Sequence, residues 1–150
     1  MTNRPKAIGT AGESAVVRYL RLNGFAGAER RALAGAYDLG DITGVGPLVI
    51  EVKAGAAAAN ASPGQIVKWM AETLTETQNA SADFGVLVTK RAGVGAARAG
   101  EWWAYLRADD FVVLSSGRGG RRQAFPVRMT LADAVAVLRS AGYGDEAVAA

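Results

Sequence analysis

The chain has 150 residues, half of them hydrophobic and 21% charged, with a formal net charge of +3; that suits one domain able to bury a core. It has no cysteine and no histidine, which excludes disulfide frameworks, zinc fingers, thiol nucleophiles and histidine-based triads. Any metal must sit on oxygen ligands, which favours hard cations such as magnesium or manganese, and any general base must be a carboxylate, a lysine, a tyrosine or a metal-bound water.

The opening MTNRPKAIGT lacks the apolar core of a signal peptide, and no apolar run approaches a membrane span. The expectation is a cytoplasmic protein of a bacterial, archaeal or phage-infected cell, with no membrane partner. Residues Thr10–Asn23 read as a helix: Thr10 is the N-cap, Glu13 stands at capping-box spacing, Val16, Val17 and Leu20 make the apolar stripe, and Gly24 is the stop. A short strand is expected within Phe25–Ala32, then strands at Tyr37–Thr43 and Leu48–Lys53, with the turn Gly44-Val45-Gly46-Pro47 between them. The run LVIEVK is apolar on both faces until its end, as in a buried central strand.

Ala54–Ala61 reads as a flexible connection. Ser62-Pro63-Gly64-Gln65 is a helix start, with Ser as N-cap, Pro at the first position and Gln three residues on. That helix runs to about Gln78, with Ile66, Trp69, Met70, Thr73 and Leu74 on one face. Phe84–Lys90 is an apolar strand, RAGVGAARAG a glycine-rich loop and Glu101–Leu106 a last strand. Asp109–Ser115 fits either a short helix or a strand. Ser115–Arg128 reads as a flexible basic loop, and Thr130–Ala141 as a final helix. The order α-β-β-β-α-β-β-α describes a single α/β domain over residues 1–150, with a core of about 8–106 and a basic loop and helix at 115–142: a central mixed sheet flanked by helices.

Three carboxylates stand out. Glu51 and Lys53 lie two apart on the apolar strand, so they share a face; burying either charge alone is costly. The plainer reading is a strand end reaching solvent with a surface ion pair. Asp41 lies on the preceding strand, where the turn can bring it beside Glu51; two converging carboxylates repel unless a cation sits between them. Asp38 competes for that role, but Gly40 beside Asp41 allows close backbone approach and Ile42 continues the strand. Glu13 falls on the apolar side of its helix and so needs a partner, whether the capping contact to Thr10 or a metal.

The combination resembles the PD-(D/E)xK nuclease superfamily, and most closely the archaeal-type Holliday-junction resolvases. The resemblance rests on GTAGESAVVRYLRLNGFAGAERR, GDITG, LVIEVK, and FGVLVTK followed by EWWAYL, covering roughly residues 8–106. It implies a restriction-endonuclease-like core and a metal-dependent DNA endonuclease, acting as a homodimer on four-way junctions. The alternatives are a restriction-, repair- or RecB-like nuclease cutting linear or single-stranded DNA, and a DNA-binding protein without catalysis. The resemblance further implies that Asp41, Glu51 and the Val52 carbonyl hold Mg2+, with Mn2+ as a substitute. Glu13 would position the metal or its water, and Lys53 would orient or activate the attacking water and stabilise charge on the phosphate. Gly40 replaces the family's nominal proline, and the basic C-terminal third matches no part of the family pattern.

Arginine outnumbers lysine 13 to 4, which suits phosphate contacts but is equally what a GC-rich genome produces. Arg30, Arg31, Gln65, Lys90, Arg118, Arg121 and Arg122 are candidate DNA contacts. For Gln65 the competing role is capping partner of Ser62; for the arginines of 118–122 it is a solvated charge run. Trp102 and Trp103 are adjacent on a strand and face opposite ways, so one is core and the other is free for a dimer interface or a base.

Overall fold

A computed structural model of the chain describes residues 4–32, 39–120 and 122–146. Its organising element is β3 (Leu48–Lys53). Leu48, Ile50 and Val52 enter the main apolar core, so by strand alternation Val49, Glu51 and Lys53 face the other side. β3 pairs in parallel with β4 (Phe84–Thr89), β4 antiparallel with β5 (Trp103–Arg107), and β5 antiparallel with β6 (Pro126–Thr130). The four-stranded sheet is therefore mixed, in the order β3-β4-β5-β6. β3 is thus an edge strand rather than the central one its apolar run suggested, buried because the helices Arg4–Leu22 and Pro63–Asn79 cover its faces. A parallel pair needs a long crossover; here it is built from α2 (Ala56–Ala59) and α3 (Pro63–Asn79).

On one face, α1 (Arg4–Leu22) and α5 (Leu131–Ser140) bury Val16, Val17, Leu20, Leu131, Val135 and Leu138 against the sheet. On the other, Ile66 and Met70 of α3 pack on Leu87 and Tyr105. The result is an α/β molecule whose mixed sheet is flanked by helices, as expected at that level. None of its described helices is long and apolar enough to cross a membrane.

Several local expectations change. The first helix begins at Arg4 rather than Thr10; Pro5 is tolerated in a first turn, and Thr10, inside the helix, accepts a hydrogen bond from Arg30 Nη2 at 3.3 Å. The strand expected in Phe25–Ala32 contracts to β1 (Glu29–Arg30), which pairs with β2 (Ile42–Thr43) in a separate two-stranded sheet. The start of the predicted Tyr37–Thr43 strand, with Asp38, lies outside the described residues, as does Arg121. The Ala54–Ala61 connection holds the short helix α2, and the glycine-rich loop holds a 3-10 turn at Ala96–Glu101. The undecided Asp109–Ser115 segment is a helix, α4 (Ala108–Ser116), closed by Gly117 at φ 69°, a conformation that favours glycine. The basic loop ends in β6, whose Pro126 sits at the first residue of an edge strand, where its missing N–H is harmless.

The helix starts at Ser62 and Thr130 hold as read: Ser62 Oγ accepts from Gln65 N–H, and Thr130 Oγ1 from Asp133 N–H, each at 3.1 Å.

The crossing of α1 over β3 is close because Gly12 has no side chain; a Cβ there would run into the Ala54 methyl group. Alanine in a helix ordinarily gains up to about 1 kcal/mol over glycine, whereas overpacking costs about 1–3 kcal/mol. Gly12→Ala is therefore expected to lower the urea midpoint. Gly9→Ala on the same helix, with open space around it, is expected to raise it. Equal shifts for the two variants would contradict this packing.

Candidate active site at the end of strand β3

Asp41 is tied to β3 by both backbone and side chain. Its N–H donates to Ile50 O at 3.2 Å, and its carbonyl accepts from Arg31 N–H at 2.8 Å. Its carboxylate Oδ2 accepts the Val52 N–H at 2.7 Å. The predicted hairpin is thus replaced by a looser arrangement: β2 pairs with β1, and Asp41 reaches β3 through these individual bonds. Gly40 explains how the chain gets there. Its φ is 92°, and a Cβ would meet Val49 Cγ1 at 2.8 Å. Proline, held near φ −65°, cannot take that position, which is the physical reason glycine precedes Asp41 here.

Glu51 is only 6% exposed, and its carboxyl lies close enough to that of Asp41 to help hold the Asp41 proton. Lys53 Nζ lies 3.3 Å from Glu51 Oε1 and 3.6 Å from Glu72 Oε2, and 5.7 Å from the centroid of the Trp69 ring. Burial, the neighbouring Glu51 and, more weakly, Glu13 push the Asp41 carboxyl up to about 7, while the Val52 N–H pulls the other way. Burial alone would lower the Lys53 pKa. The carboxylates of Glu51, Glu72 and Asp41 outweigh it and hold the ammonium above its ordinary value.

Successive strand residues point their N–H and C=O groups to opposite edges. Lys53 O accepts from Lys90 N–H toward β4, while Ile50 O and Val52 N–H engage Asp41. The Val52 carbonyl therefore faces the Asp41 side as well.

Glu13 sits on the adjoining face of α1 and pairs with Arg30 Nε at 2.9 Å, so this pair replaces the capping contact to Thr10. Among the described residues no three carboxylates form a ready-made metal cluster; Asp41 and Glu51 are the pair brought together. The remaining predicted contacts scatter. Arg30 is engaged with Glu13 and Thr10, and Arg31 donates its N–H to Asp41. Gln65 supplies the capped N–H of α3, Lys90 flanks Lys53 through the backbone, and Arg118 and Arg122 are exposed.

Two acidic residues of α3 escaped the reading of the sequence. Glu72 faces Lys53, and Glu76, 4% exposed, would lie 3.7 Å from a Cβ at Gly40. Both were legible in principle, since Glu72 and Glu76 follow Trp69 and Thr73 by three positions on the same side of the helix.

No family model, curated protein or solved structure matches this chain. The geometry must therefore speak for itself: an oxygen-only, partly buried pair of carboxyls beside an ammonium that keeps its proton.

Because Asp41 holds its proton more tightly when folded than when unfolded, the native state binds more protons between about pH 4 and pH 7. Stability should fall as pH rises through that window and level off above about 7, by on the order of a few kcal/mol. Asp41→Asn keeps an acceptor for Val52 N–H and removes the charge. Urea midpoints at pH 5 and pH 8 are expected to show a smaller drop for the variant, with higher stability than the parent at pH 8.

Proposed function

We propose that this chain is a metal-dependent DNA endonuclease with a restriction-endonuclease-like core, hydrolysing phosphodiester bonds in four-way junctions as a homodimer in the cytoplasm. One observation carries the reading: the Asp41 and Glu51 carboxyls meet at the end of β3, with Lys53 Nζ 3.3 Å from Glu51. A carboxyl pushed up to about 7 by burial and by its neighbour Glu51 marks a place that resists two negative charges, which a divalent cation relieves. The donors are all oxygen and fit Mg2+, or Mn2+ in its place. Asp41, Glu51 and the Val52 carbonyl would hold it, water would complete the set, and Glu13 would act through water because Arg30 already occupies it. Such an ion supplies an activated water at neutral pH and a Lewis acid for the scissile phosphate.

Lys53 keeps its ammonium charge under the pull of three carboxylates. Its role is therefore to stabilise negative charge developing on the phosphate and to orient the nucleophile, rather than to take a proton. Trp69 and Glu72 fix the Lys53 side chain from the α3 side. A two-fold symmetric dimer would present two such sites to a two-fold symmetric junction.

The deciding assay is magnesium-dependent cleavage of a synthetic four-way junction beside matched duplex, flap and single-stranded DNA. Preference for linear or single-stranded DNA would move the chain to the restriction-, repair- or RecB-like nucleases; binding without cleavage of any of them would make it a DNA-binding protein. Asp41→Ala and Glu51→Ala are each expected to reduce cleavage by at least on the order of 100-fold while junction binding survives; wild-type rates in either variant would sink the assignment. Independently of turnover, saturating Mg2+ at pH 8 should raise the melting temperature of the parent, equivalent to about 2.7 kcal/mol at a hundredfold excess over Kd. Glu51→Gln is expected to lose most of that shift.

A further inference from the structure

The paired tryptophans resolve into two different roles. Trp102 is 1% exposed and donates its indole N–H to Val94 O at 2.9 Å. Trp103 is half-buried on the opposite side of β5. Two guanidinium groups rest over its ring: Arg91 at 4.0 Å and Arg128 at 4.1 Å from the centroid. The indole attracts each cation through its π face, but the cations repel one another, so their convergence leaves a concentrated positive charge.

Carboxylates compensate little of it. Arg91 donates Nη1 to the main-chain oxygen of Glu101 at 3.3 Å and lies in the field of the Glu101 carboxylate, but that carboxylate is held bidentately by Arg98. Arg128 is exposed on the edge strand β6.

The sheet register connects this cluster to the candidate active site. Lys53 pairs with Thr89, and Thr89 with Trp103. Residues paired across a ladder share a face, and strands lie about 4.8 Å apart. The Trp103 backbone is therefore about 10 Å across the sheet from that of Lys53, on the same face. Arg128 pairs with Tyr105 two positions along β5 and so shares that face too.

We propose that Arg91, Trp103 and Arg128 form a phosphate-binding subsite that holds a backbone phosphate of bound DNA near the phosphate presented to Lys53. The subsite rests on the endonuclease reading for its ligand. A guanidinium lying on an indole loses little freedom on binding and keeps the N–H donors at its edge for a phosphate oxygen. With two cations over the ring, Trp103 serves as a platform for the arginines rather than as a stacking surface for a base.

The test measures binding apart from cleavage, by fluorescence anisotropy of a labelled four-way junction and a labelled duplex in EDTA over a salt series. Arg128→Gln and Arg91→Gln are each expected to weaken binding about 10-fold and to lower the salt slope by about 0.9, the value for one lost phosphate contact. Arg4→Gln, the same charge change on the exposed start of α1, is expected to do much less. Arg128→Lys should restore the slope but not the full affinity, because an ammonium does not present a planar fork. Trp103→Leu leaves both charges and removes the platform, so it should weaken binding with the slope kept.

Losses no greater than that of Arg4→Gln, or wild-type affinity in both glutamine variants, would overturn the subsite, as would a parent protein that does not bind DNA. The two readings fail separately. A parent that cleaves while both glutamine variants bind normally keeps the endonuclease and loses the subsite. A parent that binds through Arg91 and Arg128 but cuts nothing with Mg2+ keeps the subsite and loses the endonuclease. Thermal melting of each variant separates misfolding from lost contact, and Arg128→Lys repeats the test on the same exposed side chain.

Discussion

The hydrogen bond from the Val52 N–H to the Asp41 carboxylate is the constraint on which the site depends. It spends the outward N–H of an edge strand on a side chain, and in doing so brings one carboxyl against another, that of Glu51, in a partly buried place. A charge-assisted bond of this kind favours the ionised acid, yet burial and repulsion win, and the Asp41 carboxyl sits near 7. The protein holds the conflict in place by backbone geometry: the Asp41 main chain is bonded to both Ile50 and Arg31, and Gly40 takes a conformation that proline cannot.

Strand alternation then separates the apolar packing from the charged cluster. The side of β3 carrying Leu48, Ile50 and Val52 lies in the main core under α1 and α5. Its other side carries Glu51 and Lys53, in register with Thr89 and Trp103 on the next two strands. The helix on that side, α3, is amphipathic in an unusual sense: Ile66 and Met70 seal the sheet, while Trp69 and Glu72 reach Lys53. Negative charge is gathered at β3 and positive charge farther across the same face at β5 and β6. A polyanion held by the outer arginines would meet the carboxylates only where a cation or Lys53 offsets their charge.

The elements that emerged from the sequence are those whose signal is local. LVIEVK is a strand because six residues carry the pattern. Ser62-Pro63 and Thr130 start helices because a cap needs only its own next three residues. Glu51 and Lys53 share a face because a strand has period two. What failed to register is equally specific. β6 is a strand because β5 offers it a hydrogen-bonding edge, not because PVRMT announces one. Thr10 lies inside its helix because the turn before it is also helical, and its hydroxyl then goes to Arg30.

Residue type and short-range spacing thus determined that any metal ligand must be oxygen, that LVIEVK is a buried strand, and that two charged side chains lie at its end; the strand's place at the edge of the sheet rather than the centre was not among them. The tertiary structure alone decided that Asp41 reaches β3 by single bonds rather than through a paired hairpin, that Glu13 is matched with Arg30, that Glu72 joins Lys53, and that Arg91 and Arg128 meet over Trp103. Each of those pairings joins residues far apart in the chain or turns on a backbone conformation, and its energy depends on distance and burial that exist only once the sheet has formed.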